Sequence, residues 1–121
     1  MEHTMRLIVQ DIKDNWQAQC PTCDPDMIGS MIGILSKLDQ LAVIRGDWDW
    51  AGDCDYVEVR MFSKDEDKRL ILILDRMSVN GVLTYIALHK RDESMEYCEV
   101  QSFNSASLGD ISSAICWLNA S

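Results

Sequence analysis

Apolar residues recur at helical spacing in the first forty positions, then at every second place beyond position 56. Met5, Ile8, Ile12 and Trp16 stand three, four and four residues apart, one stripe of a helix over 5–19. Thr4 is available as its N-cap, and Pro21 stops it. The connector CPTCDPD leads into a second helix over about 25–41, opened by Asp24-Pro25, an acidic cap followed by proline in the first turn. Ile28, Met31, Ile32, Leu35 and Leu38 form its apolar side, while Gly29 and Gly33 lower its intrinsic propensity by about 1 kcal/mol each.

From Tyr56 the period is two. YVEVRMF (56–62) reads as a strand with Val57, Val59 and Met61 on one face, and SKDEDK as a charged turn. RLILILDR (69–76) is apolar on both faces, the pattern of a central strand. Asn80-Gly81 is a tight-hairpin pair leading into a third strand over 82–90, and RDES separates that strand from a fourth over 95–103. These connections are too short for parallel crossovers, so the strands form a meander. Ser107 and Asp110 then open a last helix with the stripe Ile111, Ala114, Ile115 and Leu118.

The pattern predicts a single α+β domain over 1–121: a four-stranded antiparallel meander sheet with two N-terminal helices and one C-terminal helix packed on it. A central strand apolar on both faces calls for cover on both. Three short helices do not supply it, so a homodimer through the open sheet face is expected.

Composition narrows the partners. The 121 residues are 47% hydrophobic and 26% charged, a globular balance. A net charge of -9 argues against direct nucleic-acid binding and against an anionic membrane surface. The charges are also polarised: residues 47–67 hold eight acids and two bases, residues 68–91 five bases and one acid. The N-terminal stretch lacks the apolar core and cleavage site of a signal peptide, which makes a cytoplasmic location the expectation. Five cysteines cannot all pair within one chain, and Cys98 and Cys116 fall in apolar patterns that suggest small buried hydrophobes.

GDWDWAGDCDY (46–56) is the densest chemistry. Counted from Asp47, its aspartates, Gly52 and Glu58 overlay a calcium-binding EF-hand loop. Ala51 leaves one oxygen missing, two tryptophans crowd the loop, and the exit alternates like a strand. No metal site is therefore assigned. Alternation otherwise sends the aspartates to water and the tryptophans inward, as a loop leading into the first strand. A binding face is the competing reading, because tryptophan anchors interfaces and a local acidic field steers basic partners. That face comprises Asp47, Trp48, Asp49, Trp50, Asp53 and Asp55. A nucleic-acid mimic is a further option, although the acids are clustered and not spread at phosphate-like intervals.

Cys20 and Cys23 form a C-x-x-C without a second pair for zinc and without the strand-to-helix setting of a redox motif, so free thiols are expected. No hydrolase, phosphate-loop or dinucleotide motif is present, and no cofactor is called for. Two function classes remain. The first, a non-catalytic interaction module of inhibitor, immunity, adaptor or chaperone type, takes another protein with a basic surface. The second, a small-molecule binder or modest enzyme, uses a pocket between sheet and helices lined by Trp16, Tyr85 and His89. The balance leans against an enzyme.

Overall fold

Two helices lead the chain in the computed structural model, which describes residues 3–38, 43–78 and 81–120. Helix α1 (Met5–Gln19) buries Met5, Ile8, Val9 and Ile12, and Trp16 packs half-buried against the same cluster. Helix α2 (Pro25–Leu38) follows a connector in which the Asp24 carboxylate accepts the Asp26 N–H at 2.8 Å, the expected capping bond. It buries Met27, Ile28, Met31, Leu35 and Leu38, with Ile32 half-buried at the edge of the stripe. The rest of the expected second helix, 39–41, lies outside the described residues. Strand β1 (His3–Thr4) pairs antiparallel with β2 (Val43–Ile44), which ties the start of α1 to the segment after α2.

The remaining strands form one antiparallel meander. Its strands are β3 (Trp48–Gly52), β4 (Tyr56–Phe62), β5 (Lys68–Ser78), β6 (Gly81–Arg91) and β7 (Tyr97–Asn104), side by side in that order. The sheet therefore has five strands and not four. The extra one is the aspartate-tryptophan stretch, whose acids suggested a loop. Its alternation lets Trp48 and Trp50 lie opposite Met61 and Val59, and that apolar contact outweighs the poor strand propensity of aspartate. The β5–β6 ladder runs to Ser78 opposite Gly81, while Asn80 of the expected Asn80-Gly81 hairpin pair lies outside the described residues.

Helix α3 (Leu108–Asn119) opens with the reciprocal capping box expected from its sequence. The Ser107 hydroxyl accepts the Asp110 N–H at 3.1 Å, and the Asp110 carboxylate accepts the Ser107 N–H at 2.8 Å. At its other end Lys68 Nζ donates to the carbonyls of Trp117 (2.9 Å) and Ala120 (2.8 Å), where a cation is favoured by the helix dipole.

All three helices bury into one cluster with Val57, Val59, Met61, Leu70, Leu72, Leu74, Ile86 and Leu88, which lie on one face of the sheet. The opposite face carries Tyr56, Glu58, Arg60 and Phe62 on β4, and Arg69, Ile71, Ile73 and Asp75 on β5. None of these eight is fully buried, and none belongs to the helical cluster. Strand β7 is exposed along most of its length, because the helical layer stops short of it. The expectation that Cys98 and Cys116 are buried is thus corrected: Cys98 sits on this uncovered strand, and Cys116 on the outer side of α3 beside buried Ile115. Among the described residues no helix is long and apolar enough to cross a membrane.

Candidate functional site

The β3 edge gathers most of the residues singled out above, and a glycine sets its position. A Cβ on Gly46 would lie 2.2 Å from the Phe62 carbonyl oxygen and 2.3 Å from that of Ser63. Only glycine lets the chain run this close to the end of β4, where the Phe62 N–H donates to the Asp47 carbonyl at 2.9 Å. Alternation then decides each side chain. Trp50 is buried, and its indole N–H donates to Asp11 Oδ2 at 3.1 Å; it is a core residue and no part of an accessible face. Trp48 is half-buried against the same core. Asp47 and Asp49 are exposed, and Asp49 accepts from Arg60 Nε directly across the ladder at 2.6 Å.

At its far end β3 turns through Asp53, Cys54 and Asp55, all exposed. Asp53 closes the turn: its N–H donates to the Tyr56 carbonyl at 2.9 Å, and its carboxylate accepts the Cys54 N–H at 2.7 Å. The same carboxylate accepts the Thr22 hydroxyl at 3.2 Å. Thr22 lies between Cys20 and Cys23, which form a disulfide and not two free thiols. The turn after α1, with Cys23 N–H bonded to the Cys20 carbonyl at 3.1 Å, holds their Cα atoms 5.4 Å apart, within bridging range. A Cβ on Gly52 would meet Cys23 Sγ at 2.6 Å, so this glycine lets the hairpin lie on the disulfide. The acidic field at the tip registers on Cys54, whose thiol is pushed up from its ordinary value by Asp55 and then Asp53.

The twelve residues from Asp47 to Glu58 thus run out and back as a hairpin, with Glu58 opposite Ala51. An EF-hand would wrap them around one centre before a helix. Among the described residues no group of three or more His, Cys, Asp or Glu side chains is arranged to hold a metal.

The alternative pocket residues are not brought together. Tyr85 and His89 share the helix-free face of β6, with Ile73 and Arg69 as their β5 neighbours. Trp16 lies in the helical layer on the other side of the sheet. Tyr85 donates to Glu99 Oε1 at 3.2 Å. His89 is held below its ordinary value by burial and by Arg69, whose Nε lies 3.4 Å from Nδ1, with Glu99 opposing.

Period-two reading had the means to find one cluster that it missed. Tyr97 is flanked by the guanidinium groups of Arg69 (4.3 Å) and Arg91 (4.9 Å), and its ring centroid lies 6.2 Å from that of Phe62. Its hydroxyl donates to the Glu66 carbonyl at 2.6 Å. Phe62, Glu66, Arg91 and Tyr97 line an open cleft of about 350 Å³ together with Asp47, Trp48 and Asp49. A larger cleft, about 550 Å³, is lined by none of the candidate site residues and lies between Arg45, the Ser63–Asp65 turn and the end of α3.

No family model, curated protein or solved structure matches the chain.

Proposed function

We propose that the protein is a small non-catalytic interaction module that engages a basic segment of a protein partner along the β3 edge. One observation carries this reading: Asp47, Asp49, Asp53 and Asp55 are all exposed along a single outer strand and its hairpin. A rigid strand with its inner side anchored by Trp50 presents them at low entropic cost, and the field felt at Cys54 steers a cationic partner toward the tip. Trp48 supplies partly exposed aromatic surface beside Asp47 and Asp49, and Trp50 acts only as the anchor.

The test is a nuclear magnetic resonance titration with a Lys/Arg-rich peptide at low and at physiological salt. Amide shifts are expected to concentrate at residues 47–55, to weaken with salt, and to disappear when Asp47, Asp49, Asp53 and Asp55 are all changed to Asn. Shifts scattered over the surface, or shifts unchanged in the Asn variant, would remove the β3 edge from consideration.

A further inference from the structure

The helix-free face of the sheet carries a charge pattern on β4 and β5, beside the β3 edge from which Asp49 holds Arg60. Along β5 its outward residues read Arg69, Ile71, Ile73, Asp75: a cation, two branched aliphatics, an anion. Reversed, the series is complementary to itself. Among the described residues no ion pair engages Arg69, Asp75 or Glu58. The neighbouring strand repeats the property. Outward on β4 stand Tyr56, Glu58, Arg60 and Phe62, an aromatic at each end and opposite charges between.

The two series share one centre. Val59 and Leu72 are direct ladder partners, and each is the midpoint of its own series. A single twofold axis, lying in the plane of the face and crossing the strands at the Val59–Leu72 row, therefore serves both strands at once.

We infer that this face is the docking site for a second copy of the same chain, packed face to face with strands antiparallel about that axis. Arg69 then meets Asp75 of the second copy, and Glu58 meets its Arg60. Ile71 lies over Ile73, and Tyr56 over Phe62. Two sheets stacked this way sit about 10 Å apart. The other face-to-face twofold runs along the strands: centred on β5 it places Arg69 on Arg69 and Asp75 on Asp75, and centred between β4 and β5 it places Arg69 on Phe62 and Asp75 on Tyr56, so it brings none of these charges to an opposite one.

The rest of the molecule bears on the choice of partner. A chain of net charge -9 repels its own copy over most of its surface, whereas this face alternates sign and lets two copies approach. Five strands at about 4.8 Å and seven residues at about 3.3 Å make a plate of roughly 24 by 23 Å. With side-chain relief that plate approaches the roughly 800 Å² per partner of a standard interface. The contact is sufficient for a dimer of moderate affinity.

The experiment is sedimentation equilibrium on the full chain with a charge-swap cycle. The wild-type protein is expected to show twice its 13.8 kDa mass. Arg69→Asp and Asp75→Arg, each alone, create like-charge contacts twice per dimer and weaken association by about tenfold or more. The double variant R69D/D75R restores it, because reversing both ends preserves the complementarity. Circular dichroism confirms that each variant is folded. A monomeric wild type, single variants that dimerise as well as wild type, or a double variant no better than the singles would each overturn the inference. A D53N/D55N variant, changed only at the exposed hairpin tip, should weaken the peptide shifts there and dimerise unchanged, so loss of peptide binding and loss of dimerisation are told apart.

Discussion

Gly46 and Asp92 show how single residues hold this fold by contacts that hydrophobicity does not reveal. Alanine at 46 drives a methyl group into the backbone carbonyls of Phe62 and Ser63 at the end of β4, which have no rotamer to escape through. Gly46→Ala is expected to cost on the order of 2–3 kcal/mol, read from the urea midpoint, whereas alanine at Gly29, where a Cβ meets nothing within 4 Å, is expected to stabilise the helix. Asp92 organises the β6–β7 turn by accepting from the Ser94 hydroxyl (2.6 Å) and from the N–H groups of Ser94 and Glu96. The Ser94 hydroxyl is the largest cause of its fall to about 2 from 3.8. A carboxyl depressed on folding stabilises above its unfolded value and loses that contribution as pH falls through the folded one. Asp92→Asn should therefore be less stable than wild type at pH 7, and the difference should close between about pH 4 and about pH 2. Equal stability of the two proteins across that range would remove the turn from the acid limb.

At the scale of elements, the disulfide and the hairpin that rests on it are the least local feature of the fold. Cys20–Cys23 closes a very short loop, so its entropic contribution is small. Replacing both cysteines by serine is expected to lower the unfolding free energy by about 2 kcal/mol, measured by urea titration. The three helices and four of the five meander strands were legible in the chain because periodicity reports which side is buried: Ile111, Ala114, Ile115 and Leu118 are buried as their spacing demanded. The fifth strand was hidden by composition, since Asp47, Asp49 and Gly52 resemble a turn until Met61 and Val59 are known to lie opposite the tryptophans. For the same reason the acidic surface was legible only in part. Its aspartates were identified, but assigning Trp50 to the core depended on Asp11, 39 residues away in sequence. The Cys20–Cys23 bond was likewise out of reach, because spacing alone does not separate a tight turn from an extended connector.

On the scale of the whole molecule, the meander leaves two edges and one face without helices, and the edges are not equivalent. Strand β3 is short and acidic. Strand β7 is longer and would offer an open ladder, but its register slips where Leu88 lies opposite Gln101 and His89 opposite Glu99, so Val100 is an extra residue without a partner. Val100 is 55% exposed, and exposed acids at Glu96 and Glu99 precede it. A bulge with flanking carboxylates is poor footing for another strand, and so the sheet is guarded against growing sideways. Concentrated solutions of this protein should consequently resist fibril formation, with no thioflavin signal on prolonged incubation, and removing Val100 to straighten the edge should bring that signal out.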